Sequence, residues 1–282
     1  MQKKPLVSVI INCFNGQNFL SKAIESVLDQ NYKNWEIVFF DNNSTDNSSL
    51  ILKNYKDKRI KYFKSKNKLS LYRARNLAIK KAKGTLISFL DVDDWWLKSK
   101  LNKQVKFFIK NKNTSVLYSN IYVCDEKKNS KSIYIKKKNN NKNLTQKLVD
   151  KFEMPILSTM IKKNIFNQIK FDNRYTIIGD LDFFARLSLI ENISFISEPL
   201  ACYRIHSSNL TQKRIDLNIR ELQDWIFEKR KNKNFQSIDF SKLNDSIEIL
   251  KIQKNLIEGN KLRVLFGILK MPLKFFKLKI LN

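Results

Sequence analysis

Short apolar segments alternate with amphipathic ones along the first part of the chain. The segments 6–11, 35–40, 60–63 and 85–90 are mostly apolar and rich in β-branched or aromatic residues, as expected of strands covered on both faces. Between them, apolar residues recur at helical spacing within 19–28, 50–55 and 74–82. Alternating strands and helices predict an α/β fold with a mostly parallel sheet flanked by helices.

Polar side chains follow three of the predicted strands, at the point where each strand ends. They are Asn12 after the first strand, Asp41, Asn42 and Asn43 after the second, and Asp91, Asp93 and Asp94 after the fourth. In open α/β sheets, ligands bind outside the carboxyl ends of the strands. The sequence therefore predicts a polar, acidic pocket along one edge of the sheet.

The run Asp91-Val92-Asp93-Asp94 is a candidate cation site. Crowded carboxylates repel one another unless a cation or hydrogen-bond donors neutralise them, and hard oxygen ligands suit Mg²⁺ or Mn²⁺. Acidic turns and helix N-caps use the same residues, so that interpretation stays open. The position directly after a buried strand favours the metal.

The alternation fades beyond about residue 100. The segment 136–147 is polar and of low complexity, which predicts an exposed loop. Beyond residue 211 the chain is helical in pattern and basic, without a cluster of catalytic type. We therefore predict a helical C-terminal appendage.

The net charge of +28, from 54 Lys and Arg against 26 Asp and Glu, could attract nucleic acid or an anionic membrane. However, Lys, Asn, Ile and Phe are abundant throughout while Gly (5) and Pro (4) are scarce, which indicates a general compositional bias. No basic patch interleaved with aromatics and no nucleic-acid-binding motif is visible, so no nucleic acid partner is expected. A basic nucleic-acid or anionic-surface binding protein remains the alternative.

Three widely spaced cysteines, Cys13, Cys124 and Cys202, form no CxxC pair and are interpreted as free thiols in a reducing compartment. No leader of charged and apolar residues is visible, and no apolar run approaches the ~20 residues that span a bilayer. A cytoplasmic protein is expected.

Five ordered segments resemble the family 2 glycosyltransferases. They read VSVIINCFNGQNFLSKAIESVLDQNY, EIVFFDNNSTDNS, YRARNLAIKKAKGTLISFLDVDDWW, IIGDLDFFARLS and ACYRIHSSNLT. The resemblance implies a GT-A (Rossmann-like) fold and an inverting transfer of a sugar from a nucleotide diphosphate donor to an acceptor hydroxyl, with Mn²⁺ or Mg²⁺. It divides the chain into a nucleotide-sugar-binding half (1–100), an acceptor-binding and catalytic-base half of the same domain (101–212) and the basic helical appendage (213–282).

The resemblance also implies roles for the donor-site residues. Asn12 and Asn42 match positions that contact the nucleotide base, with Asp41 beside them, and Asp91 matches the position near the ribose. Many members carry Asp where this chain has Asn42, which bears on base preference. Arg75, in an Arg75-Asn76 pair, is expected to grip donor phosphate or base, whereas Arg73 is expected on a solvated helix face.

Asp93 and His206 are expected at the metal. Asp93 matches the carboxylate that binds the metal bridging the diphosphate. His206, the only histidine, lies in Tyr203-Arg204-Ile205-His206, which resembles a later family motif whose histidine approaches the metal or diphosphate. A structural role for a lone histidine is the alternative.

Asp180 is the expected general base. Members often carry a Glu-Asp pair here, and counting back from Arg186 places that Asp at Asp180 and the Glu at Gly179, a departure. Inversion needs a carboxylate that takes the acceptor proton as its oxygen attacks the anomeric carbon. The alternative is that Asp180 caps the helix that follows; Asp182, deeper in that helix, is expected to be structural. Of Trp95 and Trp96, at least one should lie in the core, and the other could face a sugar ring.

The acceptor implied by analogy is a glycan or a lipid-linked glycan, in assembly of a bacterial surface polysaccharide or lipopolysaccharide. The tail after Glu258 mixes apolar residues with lysines and has no acidic residue. Such a segment suits contact with an anionic membrane at the cytoplasmic face of the inner membrane, or packing on the catalytic domain. A glycosyltransferase-like protein without catalysis is a further alternative, which intact Asp93, Asp180 and His206 disfavour.

Overall fold

The computed structural model describes residues 4–136, 143–206, 209, 214–260 and 263–264. The middle of the predicted polar loop and nearly all of the basic tail lie outside these residues. The end of that loop was predicted wrongly, because residues 144–147 already belong to a helix.

The first part of the chain forms the predicted parallel sheet. Its elements are β1 (Val7–Cys13), α1 (Leu20–Leu28), β2 (Trp35–Asp41), α2 (Ser48–Lys53), β3 (Ile60–Lys64), α3 (Leu71–Lys81) and β4 (Leu86–Phe89). The four strands lie side by side in the order β3-β2-β1-β4, all parallel. Each connection contains a helix, as parallel pairing requires, and the predicted α/β class is confirmed.

The second part of the chain extends the same sheet with mixed pairing. It contains β5 (Trp95–Trp96), α4 (Lys100–Lys110), β6 (Val116–Asp125), β7 (Ser130–Ile133), α5 (Leu144–Asp150), β8 (Met160–Lys162), α6 (Ile165–Gln168), α7 (Gly179–Leu187), β9 (Ile193–Ile205), α8 (Ile215–Lys231) and α9 (Ser241–Ile257). The order continues β4-β8-β6-β9-β5, with β7 on β6. β8 is antiparallel to β4 and β6, whereas β6 and β9 are parallel.

Two hydrophobic clusters cover the sheet, one on each face. Alternate residues of one strand enter different clusters: Val9 and Ile11 belong to one and Ile10 to the other. This period of two explains why the first strands are apolar without interruption. Helices α1 and α4 contribute to the first cluster, and α3, α5, α7, α8 and α9 to the second.

The C-terminal helices share the core of the α/β unit. Trp225 of α8 is completely buried in the second cluster. Its indole Nε1–H donates to Asp182 Oδ1 at 3.0 Å, and Lys229 Nζ lies 2.8 Å from the same oxygen. Asp182 Oδ2 accepts from Arg186 at 2.6 Å, so this buried carboxylate is neutralised by two cations and ties α8 to α7. Helix α8, the first described helix of the predicted appendage, is therefore joined to α7.

Candidate active site

A cleft of about 800 Å³ opens at the carboxyl ends of β1 and β4. Five of the eight site residues predicted from the sequence line it, namely Asn12, Arg75, Asp91, Asp93 and Asp180. A depression of about 770 Å³ at the opposite, amino ends of the strands is lined by Lys83 and Lys163 among others and by no acidic side chain. The clustered carboxylates therefore single out the cleft.

Arg75 connects the end of β4 to the start of α7. Its Nη1 donates to Asp180 Oδ1 at 2.6 Å and its Nη2 to Asp91 Oδ1 at 3.2 Å. The residue is 1% exposed, and its guanidinium carbon lies 5.2 Å from the Phe171 ring centre, inside the aromatic core. Because both terminal nitrogens already hold carboxylates, the structure places Arg75 as a bridge within the protein; contact with the donor stays a prediction.

Burial and mutual proximity shift the acids of the cleft. Burial raises the pKa of Asp91 to about 6; Arg75 opposes this shift, while Asp93 and Asp180 add to it. Burial likewise raises the pKa of Asp180, against the lowering effect of Arg75. Carboxyl groups that are partly desolvated and share one cation are typical of functional sites.

Asp93, in the cleft wall, contacts His206 although 113 residues separate them. Asp93 Oδ2 lies 3.0 Å from His206 Nε2. Asn209 fixes the histidine, because its Oδ1 accepts from the His206 backbone N–H at 2.7 Å and its Nδ2 lies 3.1 Å from Nε2. The sequence analysis did not single out Asn209, whose only signal was its place in the last motif.

These two side chains fit the binding of a divalent cation together with a ligand. In the described part of the chain, no group of three Asp, Glu, His or Cys side chains surrounds a metal position. Mg²⁺ usually takes only one or two protein carboxylates and completes its shell with waters and substrate phosphates. Asp93, with His206 beside it, would hold the ion while a diphosphate supplies further oxygens.

Arg204 of β9 holds the turn that contains Asp93 and Asp94. Its backbone N–H donates to Asp94 Oδ1 at 2.9 Å, and its Nε donates to the Asp93 carbonyl at 2.8 Å. The guanidinium carbon lies 4.9 Å from the ring centres of both Phe19 and Trp95, and Nη1 forms an ion pair with Glu126. Burial raises the pKa of Asp94 well above its usual range. The sequence analysis missed this arginine.

Asp41 and Asn42 are buried at the end of β2 and do not line the cleft. Asp41 is fully buried and accepts from the Tyr62 hydroxyl and the Ser44 backbone N–H, both at 2.7 Å. Asn42 exchanges two hydrogen bonds of 2.9 Å with the backbone of Leu69. These contacts fasten the loop after β3 to the end of β2, and direct contact of either residue with a donor stays a prediction.

The region around Asn12 offers a place for a planar ligand. Asn12 Nδ2 is buried and has no hydrogen-bond partner within the described residues, and an unpaired buried donor is costly. Phe14, also in the cleft wall, is 40% exposed, and Lys68 Nζ lies 3.7 Å from its ring centre. The sequence analysis did not select Phe14, although an exposed aromatic directly after a predicted binding strand is a usable signal.

Tyr72 explains the departure at Gly179. A Cβ atom on Gly179 would lie 2.3 Å from Tyr72 Cε2, so the buried ring occupies the space of any side chain there. The Tyr72 hydroxyl donates to the Ile177 carbonyl and accepts from the Asp180 backbone N–H, each at 3.1 Å. Tyr72 thus leaves no room for a side chain at position 179 and fixes the start of α7.

The remaining candidates lie outside the cleft. Trp96 is 3% exposed and belongs to the core, as expected of one of the two tryptophans. Trp95 carries Lys22 Nζ at 3.6 Å from its ring centre and does not line the cleft. Arg73 is exposed on α3.

Four parallel strands with clustered aspartates at their carboxyl edge are typical of α/β proteins that bind a ligand at that edge. The family model described as glycosyl transferase family 2 matches residues 8–170. The chain belongs to that family and is a glycosyltransferase enzyme. The nucleic-acid-binding alternative is therefore not favoured.

Individual proteins that are similar to this chain are also glycosyltransferases or share its fold. The UDP-Glc:alpha-D-GlcNAc-diphosphoundecaprenol beta-1,3-glucosyltransferase WfgD of Escherichia coli is 32% identical over 213 residues, 74% of this chain and 81% of that protein. The S. aureus TarS structure with UDP-GlcNAc gives a TM-score of 0.61 at 15% identity, covering 97% of this chain and 76% of the other. The mannosyltransferase PcManGT from Pyrobaculum calidifontis, with GDP-Man and Mn²⁺, gives 0.62 at 15% identity, covering 95% and 74%. These likenesses confirm the predicted GT-A fold.

Proposed function

We propose that this glycosyltransferase moves a sugar, with inversion, from a nucleoside diphosphate donor to a hydroxyl group of a lipid-linked glycan, using Mn²⁺ or Mg²⁺. One observation carries the proposal: Asp91 and Asp93, which follow β4, and Asp180 of α7, from a distant part of the chain, line one cleft. Such a cleft contains both a candidate cation ligand and a candidate base.

Asp180 is proposed as the base. Its Oδ1 is held by Arg75, and the side chain is 21% exposed, so the second oxygen is available to an acceptor hydroxyl. The acceptor oxygen would form a bond to the anomeric carbon while its proton passes to Asp180. The bond from that carbon to the phosphate oxygen breaks, and the nucleoside diphosphate leaves with the electron pair.

Asp93 and His206 are proposed to hold the cation, which would neutralise charge on the departing diphosphate. Arg204 holds the backbone of Asp93, and Asn209 holds the backbone of His206. Arg75 keeps Asp91 and Asp180 close together and compensates their charge. The residues of this chain thus orient the donor and accept one proton.

The donor and acceptor classes are proposed by analogy. WfgD is named for a UDP-Glc donor and a diphosphoundecaprenol-linked acceptor, and the TarS structure contains UDP-GlcNAc. A lipid-linked acceptor fits work on a bacterial surface polysaccharide or lipopolysaccharide at the cytoplasmic face of the inner membrane. The described residues contain no helix long and apolar enough to cross a membrane.

A panel of nucleotide sugars, titrated with and without Mn²⁺, tests the function. We expect at least one to bind in a Mn²⁺-dependent manner and to release its nucleoside diphosphate when a lipid-linked glycan is added. In Asp93→Ala, Mn²⁺-dependent binding should be lost while the melting temperature is retained, because Asp93 is partly exposed in the cleft. Binding with the parent's Mn²⁺ dependence in Asp93→Ala would show that the metal is held elsewhere.

A further inference from the structure

Glu221 of α8 is a buried acid whose carboxylate faces the segment before α7. It is 7% exposed. Its Oε1 accepts from the Thr176 backbone N–H at 2.7 Å, and its Oε2 accepts from those of Ile177 and Ile178 at 2.9 and 3.1 Å. Three consecutive backbone donors therefore converge on one side chain from a helix 43 to 45 residues further along the chain.

These donors need a partner from outside α7. Backbone N–H groups at and before a helix start have no carbonyl of their own helix to bond, and the positive end of the helix favours an anion there. Glu221 supplies an anion in which both oxygens accept hydrogen bonds. A Gln side chain is neutral and has only one acceptor oxygen, so it cannot bind all three donors in the same way. The segment 176–178 is fixed by this contact.

The opposite side of the segment is held by α3. Tyr72 donates to the Ile177 carbonyl and accepts from the Asp180 N–H, and its ring lies against Gly179, where it leaves no room for a side chain. The backbone directly before Asp180 is thus held by Glu221 on one side and by Tyr72 on the other. The carboxylate of Asp180 then reaches Arg75.

We propose that Glu221 is a positioning residue that sets the location of Asp180 for proton transfer. The proposal rests on the proposed function, in which Asp180 is the base. It assigns to α8, which lies beyond the residues 8–170 matched by the family model, a direct part in building the active site. A displacement of about 1 Å in a reacting group can reduce the rate ~10²-fold. Loss of the Glu221 contact should therefore lower kcat.

The test compares Glu221→Gln with two controls on the same helix. Glu228→Gln removes a carboxylate that pairs with Arg174, whose side chain is 62% exposed. Ile226→Ala removes buried core volume but no hydrogen bond to the segment 176–178. Each variant is assayed for kcat, for the KM of the nucleotide sugar and for hydrogen–deuterium exchange of the backbone at 176–180.

In Glu221→Gln we expect exchange at 176–180 to rise and kcat to fall by about 10-fold or more, with the donor KM changed less than about 2-fold. Ile226→Ala should lower the melting temperature but keep kcat at assay temperature, and Glu228→Gln should resemble the parent. Unchanged exchange at 176–180, or an equal loss of kcat in Ile226→Ala, would overturn the proposal. If the parent transfers no sugar, the proposed function fails instead, and exchange alone decides whether Glu221 holds the segment.

Discussion

At the scale of single residues, Arg75 shows how one buried cation organises the cleft. The guanidinium lies among aromatic rings and binds two carboxylates that leave separate elements of the fold. A buried charge is stable only when it is paired with an opposite charge. The ion pairs that stabilise Arg75 therefore also hold Asp91 and Asp180 in place. The position of Asp180 is therefore set by its ion pair as well as by its backbone.

Asp180→Asn tests the base directly. The amide keeps nearly the same shape but cannot accept the acceptor proton, so transfer should fall at least ~10²-fold while donor affinity is retained. Turnover with a lipid-linked glycan and titration with the nucleotide sugar measure the two quantities. Asp172→Asn is the matched control, since that carboxylate pairs with exposed Arg174 away from the cleft. Near-parental turnover in Asp180→Asn would assign the role to another residue.

Gly179→Ala tests the close approach of Tyr72. The added methyl group would overlap the buried ring, and overpacking of this kind lowers the free energy of unfolding by about 1–3 kcal/mol. In a Tyr72→Ala background the same change should cost much less, because the ring has gone. Denaturant unfolding of the four proteins gives the coupling energy. Additive losses would show that the two positions do not compete for space.

At the scale of elements, β9 connects the two parts of the site. Its last residues pair with β6 on one side, while Arg204 holds the Asp93–Asp94 turn and the next position but one, His206, contacts Asp93. The parallel sheet supplies the aspartates, and β9 fixes their backbone. The residues proposed to hold the cation would thus be supported by a strand distant in sequence.

Arg204→Met tests this support. The change keeps an apolar stem against Phe19 and Trp95 but removes the Nε–H bond to the Asp93 carbonyl, so the turn loses an anchor. Residues that support a metal ligand typically cost 10–100-fold in affinity when changed, and we expect the Mn²⁺ concentration at half-maximal activity to rise by about that factor. Lys103→Met, which breaks an exposed ion pair with Glu198, should leave it unchanged. Equal Mn²⁺ dependence in both variants would contradict the role of Arg204.

The sequence predicted the elements whose signals are local. Strands β1 to β4 are buried on both faces and separated by amphipathic helices, so their periodicities stand out within short windows. The second half was not predicted in detail, because the residues that β6 pairs with in β8 and β9 lie 43 to 80 positions further along the chain, and β8 has only three residues. Antiparallel neighbours also need no helix between them, which removes the alternation.

The sequence predicted the position of the candidate site but not the contacts between residues that are distant in the chain. Asp91 and Asp93 follow a strand, and their place in the cleft follows from parallel topology. The partners of Arg75 could not be read from spacing, since Asp180 lies 105 residues away. Asn42 follows β2 but does not line the cleft, because its amide is bonded to the Leu69 backbone. Residue type and order thus locate the pocket, whereas packing decides which polar atoms remain available to a ligand.

At the scale of the whole molecule, charge is distributed unevenly. The chain carries a formal charge of +28, yet the polar wall of the cleft gathers Asp91, Asp93 and Asp180 around one buried arginine. A positive field attracts anionic ligands and surfaces over a distance, while the local acids select for a ligand that arrives with a cation. Both a nucleoside diphosphate and a lipid diphosphate are negatively charged, so the positive field favours both.

The C-terminal tail is the sequence feature most suited to an anionic surface, and nearly all of it lies outside the described residues. After Glu258 it has six basic residues and no acidic one: Lys261, Arg263, Lys270, Lys274, Lys277 and Lys279. Each basic residue near an anionic bilayer can contribute about 1 kcal/mol, and the apolar residues between them can enter the interface. We therefore predict that the tail holds the enzyme at the membrane, where lipid-linked acceptors are found.

Sedimentation with vesicles of anionic lipid measures this directly. The parent should sediment with the vesicles and be released as ionic strength rises, because salt screens the attraction. A protein lacking residues 260–282, and a full-length variant with the six basic residues changed to Gln, should both stay in solution, while neutral vesicles should bind neither parent nor variants. Since the remaining chain is still strongly basic, undiminished sedimentation of both variants would assign membrane binding to the catalytic unit and leave the tail free to pack against it.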